Sequence, residues 1–71
     1  MSEGYRVVLD FKFREGDEVK RAPGASYTFP GVVLACFRNR AGRRLYAVEH
    51  DTEPGLIHLF READLERRGE E

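Results

Sequence analysis

Two strand-like runs, Leu45–Glu49 and Leu56–Phe60, flank a turn built on Glu53-Pro54-Gly55, and this pair constrains the fold more than any other stretch. The chain before it reads as strands that curl round the pair. From Tyr5 the pattern alternates, with Tyr5, Val7, Leu9, Phe11 and Phe13 on one face and Arg6, Val8, Asp10, Lys12 and Arg14 on the other. A period of two with β-branched and aromatic residues means a strand. Glu15-Gly16-Asp17 reads as a turn, and Glu18–Arg21 as a short strand with Val19 inward. Pro23 and Gly24 make residues 22–26 a loop. Tyr27-Thr28-Phe29 followed by Pro30-Gly31 reads as a loop returning to the sheet, where Gly31–Phe37 is nearly all apolar and is expected to be the most buried strand. Arg38–Arg43 is a hairpin loop, with Gly42 the residue suited to positive φ. Arg44–Glu49 returns as the next strand, its faces divided between Leu45 and Ala47 on one side and Tyr46 and Val48 on the other. Arg61–Leu65 reads as one helical or 3-10 turn with Leu65 closing the barrel end, and Glu66–Glu71 as a charged tail.

Short strands, Gly and Pro turns, no long helix and no repeats predict an all-β fold. The expected form is a small, closed, SH3-like barrel of about five antiparallel strands, with a short 3-10 turn near the C-terminus. Closure removes the strand edges that invite aggregation. The expected domain spans 5–66, after a frayed segment 1–4 and before a charged tail 67–71. At 71 residues there is one domain, and a chain this short needs help to be stable. Cys36 is the only cysteine, so no internal disulfide can form. His50, His58 and Cys36 match no zinc spacing, so no metal is expected. Oligomerisation is the remaining remedy, as a dimer or a tetramer. The net charge of −1 dictates neither a basic nor an acidic partner. No apolar run approaches a membrane span, and MSEGYR has no signal-peptide pattern. A cytoplasmic protein with reduced Cys36 is the default.

Four residues or clusters could carry chemistry. Arg38–Arg44 holds four arginines in seven positions, which suits a phosphate or nucleic-acid contact. A solvated hairpin tip is the preferred reading, since no aromatics interleave the cluster. Cys36 lies in an apolar strand and reads as a small hydrophobe rather than a nucleophile. His50, beside Asp51, reads as a surface residue. His58 sits in an apolar run, where period two puts Ile57 and Leu59 on one face and Leu56, His58 and Phe60 on the other. If Ile57 and Leu59 fill the barrel, the other three form an exposed apolar patch with one polar centre, and such patches mark contacts. No phosphate-cradling glycine loop, zinc-protease motif or nucleophile elbow occurs. A barrel this small is filled by its own side chains, so any catalytic site would lie between copies.

Gly16-Asp17-Glu18-Val19-Lys20-Arg21, Gly24-Ala25, Gly31-Val32-Val33, Tyr46-Ala47-Val48-Glu49, Pro54-Gly55 and Ala63-Asp64-Leu65-Glu66-Arg67 follow one another in the order seen in a known family. Together they resemble the plasmid-encoded type II, trimethoprim-insensitive dihydrofolate reductases, over roughly Phe13 to Arg67. The resemblance implies an SH3-like barrel that assembles as a tetramer round a pore in which NADPH and dihydrofolate meet. It makes Leu56-Ile57-His58-Leu59-Phe60 the pore strand, where the family carries Val-Gln-Ile-Tyr. His58 then stands for the central Gln, Phe60 for the Tyr, and Leu56 for a preceding Ser. Arg21 stands for the pore-mouth Lys and keeps the charge that attracts anionic ligands. The family pairs a Ser and a His across subunits, and the matching positions here are His50 and Glu53.

The reading adopted from the sequence is a self-associating, non-enzymatic binding module. Arg21, Leu56, Ile57, His58, Leu59 and Phe60 are its ligand-binding residues, and Tyr27, His50 and Glu53 its interface residues. The partner is a second copy together with a protein or small-molecule ligand, and no catalytic residue, metal or membrane is assigned. The alternatives are an NADPH-dependent dihydrofolate reductase and a nucleic-acid-binding barrel using Arg38, Arg40, Arg43 and Arg44.

Overall fold

The computed structural model describes residues 11–24 and 27–69. Five antiparallel strands form one sheet: β1 (Glu18–Arg21), β2 (Gly31–Arg38), β3 (Arg44–His50), β4 (Ile57–Arg61) and β5 (Leu65–Arg67). Their spatial order is β4-β3-β2-β1-β5. The all-β expectation holds, and so does the single 3-10 turn, at Glu62–Asp64. The sheet is not a closed barrel. β4 and β5 are its two edges and share no ladder, being joined through the 3-10 turn. Phe60 of β4 and Leu65 of β5 nevertheless belong to the same buried cluster, so the sheet bends round one core.

That core is Phe11, Phe13, Val19, Phe29, Val33, Tyr46, Val48, Phe60 and Leu65. Phe13 and Phe11 meet the Tyr46 ring edge to face, with centroids 5.3 and 5.9 Å away, a favoured aromatic geometry. Residues 11–14 lie outside any strand. The first strand read from the sequence, from Tyr5, otherwise falls outside the described residues, although Phe11 and Phe13 do share the inward side. The turn at Glu15-Gly16-Asp17 is closed by Asp17 N–H donating to the Arg14 carbonyl at 3.0 Å, and Arg14 N–H donates to the Asp17 carboxylate at 2.9 Å. At the β2–β3 hairpin Gly42 takes φ 83°, as its position requires.

Two sequence expectations fail in the strands. β2 is not the most buried strand: only Gly31 and Val33 are buried, and Leu34, Ala35 and Phe37 are exposed. A bulge between Val33 and Ala35 puts Leu34 and Ala35 both outward and returns Cys36 to the inward side, and the remaining residues alternate between core and solvent. A continuous apolar run fits a strand covered on both faces, but here only one face has a core. The segment after Leu65 is not wholly a tail, because Leu65–Arg67 forms β5 against β1. Charge complementarity docks it. Lys20 and Glu66 are direct cross-strand partners with an ion pair of 3.6 Å, and Arg67 reaches the Asp17 carboxylate at 3.3 Å and the Lys12 carbonyl at 3.0 Å. Arg68 adds ion pairs to Glu18 at 3.5 Å and to Asp51. Among the described residues no helix is long and apolar enough to cross a membrane.

Candidate functional site: the outer face of β2–β3–β4

The ladder register decides which side chains share a face, because residues directly opposite in an antiparallel pair point the same way. Cys36, Tyr46 and Phe60 form one inward row, and Val33, Val48 and His58 another. Three rows point outward: Val32–Glu49–Ile57, Ala35–Ala47–Leu59 and Phe37–Leu45–Arg61. With Leu34 at the bulge, eight apolar side chains cover the outer face of three strands. Leu59 is 60% exposed, Ile57 46% and Phe37 39%. By strand spacing and rise, the face measures roughly 15 by 20 Å.

The conditional face assignment at β4 is therefore reversed. Phe60 is 3% exposed, so it does not stand outside with Leu56 and His58, while Ile57 and Leu59 face solvent instead of filling the interior. The reason lies beyond the strand. Phe60 pairs with Tyr46 in an inward row, and Phe29, arriving from the loop before β2, covers it at 5.2 Å between centroids. His58 is on the inward side too, but β4 is an edge, so its ring is exposed and stacks on Phe29 at 4.5 Å.

The other residues singled out from the sequence gather at this edge. The Tyr27 ring meets His58 at 6.5 Å, edge to face. The Arg21 guanidinium lies 4.7 Å over the Tyr27 ring and 5.6 Å from Phe60, and donates to the Tyr27 hydroxyl at 3.4 Å. Its Nε is buried with no hydrogen-bond partner among the described residues. His50 packs edge-on to Phe29 at 4.8 Å, and its Nδ1 accepts the Thr52 backbone N–H at 3.2 Å. Leu56 is exposed, and its N–H donates to the Glu53 carbonyl at 3.0 Å. The same turn is pinned by Gly55 N–H donating to the Glu49 carboxylate at 2.8 Å. Among the described residues no hydrogen bond or ion pair joins the His50 and Glu53 side chains within one chain. Arg21, Tyr27, His50 and His58 thus form one aromatic and basic corner round Phe29, a residue the sequence reading left in a loop. Phe29-Pro30 directly before an apolar strand was the available signal.

Cys36 sits on the inward side, packed against the core. Burial, followed by the charge of Glu15, pushes its thiol above the ordinary value, which keeps it protonated near neutrality and suits a packing residue. No protein-family model matches the chain, and no curated protein matches it.

Proposed function

We propose that this chain is a self-associating binding module, whose outer β2–β3–β4 face packs on the same face of a second copy. The observation that carries this reading is the run of three outward rows with Leu59 and Ile57 at the exposed end. A contiguous apolar face of this kind marks a contact surface. Its charged positions suit a second copy. Glu49 stands at the centre of one outer row and Arg61 at the β4 end of the other, with an all-apolar row between them. A twofold axis along the Ala35–Ala47–Leu59 row lays the Glu49 row of each copy over the Arg61 row of the other, with Leu45 facing Glu49 and Arg61 one strand spacing to the side, giving an isologous contact with opposite charges as neighbours. A face this size is smaller than a standard interface, so a weak, concentration-dependent dimer is expected rather than an obligate one.

Sedimentation equilibrium over tens to hundreds of micromolar tests it. The expected mass rises towards twice the 8.2 kDa of one chain. Leu59→Glu should weaken the dimer roughly 100-fold, because each copy loses the burial of one leucine and gains a desolvated carboxylate. Its circular dichroism should not change, since Leu59 contributes nothing to the core. A parent chain that stays monomeric throughout overturns the reading.

A second reading, NADPH-dependent reduction of dihydrofolate in a pore between copies, rests on the family resemblance and on one observation. Leu56, Ile57, His58 and Leu59 are all exposed on an edge strand, with Arg21 close by, as a pore-lining strand would need. The buried Phe60 fits that role poorly. This reading expects a tetramer that oxidises NADPH in the presence of dihydrofolate, with the turnover lost in His58→Ala. A dimer without turnover leaves the binding module.

A further inference from the structure

The end of the β2–β3 hairpin carries a second site, which borders the outward rows at Arg61. A concavity of about 500 Å³ lies there, lined by Arg38, Arg43, Arg44, Arg61 and Glu62. Arg38 and Arg44 are direct cross-strand partners. Arg38 Nη1 donates to the Gly42 carbonyl at 2.9 Å and its guanidinium lies 5.7 Å over the Phe11 ring, which holds it at the rim of the hollow. The only carboxylate in the lining is already committed to the fold. Glu62 accepts from Arg44 Nη1 at 3.1 Å through one oxygen, and from the Tyr46 hydroxyl and Lys12 N–H through the other. Arg44 Nε is buried with no hydrogen-bond partner among the described residues. Arg61 Nε is paired with Asp64 at 3.2 Å. Among the described residues no carboxylate pairs with Arg43 or with Arg40, which is exposed at the hairpin tip. The chain as a whole carries a net charge of −1, so this is a local positive field on a nearly neutral protein.

We propose that this concavity seats a phosphate of a single-stranded nucleic acid, with Arg40 at the hairpin tip meeting the neighbouring phosphate. Guanidiniums recognise phosphate oxygens through paired N–H donors, and a volume of this order takes a nucleotide-sized ligand. The guanidiniums line a hollow rather than a flat or convex face. A flexible single strand can turn one phosphate into it, whereas a duplex holds its phosphates on a rigid outer surface. Contacts to phosphate alone carry no base information, so the contact is independent of sequence.

Fluorescence anisotropy tests this with a labelled 20-mer of thymidine, a 20-base-pair duplex and inorganic polyphosphate at low salt. Two neutralised phosphates give a log affinity against log salt slope of about −1.4 for the single strand, or roughly sevenfold weakening per fourfold rise in salt. The double variant Arg40→Gln, Arg43→Gln should lower that slope by about 0.7, the share of the Arg40 phosphate, since Arg38, Arg44 and Arg61 still line the concavity. Arg40→Glu with Arg43→Glu should cost at least tenfold in affinity, with unchanged circular dichroism. Arg14→Glu, a charge reversal outside the site, should leave affinity within about twofold. No anisotropy change up to about 200 µM protein overturns the proposal. So does equal affinity for duplex or polyphosphate, or a slope that the Arg40 and Arg43 variants leave unmoved. The dimer measurement on Leu59→Glu is independent of all of these outcomes.

Discussion

Gly31→Ala is expected to remove a third or more of the stability of this protein. Gly31 lies where three strands meet, opposite Val19 of β1 on one side and His50 of β3 on the other. A Cβ there would stand 2.2 Å from the Glu49 carbonyl oxygen, 2.9 Å from its carbonyl carbon and 2.8 Å from Val48 Cγ1. Two of these are backbone atoms, and they cannot withdraw without opening the β2–β3 ladder. The adjacent hydrogen bonds, Asp51 N–H to the Pro30 carbonyl and His50 N–H to the Leu56 carbonyl, both 2.9 Å, would be disturbed with it. Overpacking of this kind costs about 3 kcal/mol or more where the backbone must move. A domain of this size has a total stability of only about 4–10 kcal/mol. The melting temperature should fall by roughly 15 °C or more. Gly42→Ala is the control. It has open space round its Cβ but sits at φ 83°, so only the conformational penalty of about 1 kcal/mol applies. If both variants melt within a few degrees of each other, close packing is not what Gly31 provides.

The position of that glycine also explains how far the sequence could be read. Turns were legible because Gly16 and Gly42 announce backbone conformations that other residues resist. The short strand Glu18–Arg21 was legible because a single apolar residue, Val19, is flanked by charges. β2 and β4 were not legible in the same way. GVVLACF and LIHLF are apolar at both parities, so alternation cannot say which face meets the core. The answer came from partners distant in sequence: the bulge at Leu34, the pairing of Phe60 with Tyr46, and the cover supplied by Phe29. That ambiguity is itself the functional signal. A strand that is apolar on both faces in a one-layer sheet must leave one apolar face outside. β5 was missed for the opposite reason. Glu66 and Arg67 look like solvated tail until Lys20 and Asp17 are placed opposite them. The arginines at 38, 40, 43 and 44 were visible as a cluster, but Arg61 and Glu62, which complete the hollow, arrive from the far end of β4.

Tyr46→Phe is expected to destabilise the chain by about 2 kcal/mol at neutral pH and to change its response to alkali. The Tyr46 side chain is fully buried, and its hydroxyl is a junction. It accepts Lys12 N–H at 3.0 Å and Phe13 N–H at 3.4 Å, and it donates to the Glu62 carboxylate at 2.5 Å. Removing the oxygen strands the buried Phe13 N–H and takes one donor from a partly buried carboxylate, and a buried group left unpaired costs about 1–3 kcal/mol. Burial first, and then the hydrogen bond to Glu62, pushes the Tyr46 hydroxyl up to about 12. A raised value means that the folded state holds the proton more tightly. The stabilisation is therefore complete below the ordinary tyrosine value of about 10 and is lost as pH climbs towards 12. At pH 11 the parent should have lost about 1.4 kcal/mol through this group, and the phenylalanine variant none of it. The acid side runs the other way. Burial alone would raise the Glu62 carboxyl, but hydrogen bonds from Tyr46, Lys12 N–H and Arg44, with the Arg44 charge, outweigh it and hold the group below its ordinary value. Its contribution is present above about pH 4.3 and disappears as pH falls through the lowered value. Without the Tyr46 donor the Glu62 carboxyl moves back up towards its ordinary value, so the variant should lose less stability than the parent between pH 7 and pH 3.5. Urea unfolding of parent and variant at pH 3.5, 7 and 11 reads all three points. The gap between them should narrow markedly from pH 7 to pH 11. A gap that stays constant over that range would mean that the hydroxyl is not buried against Glu62.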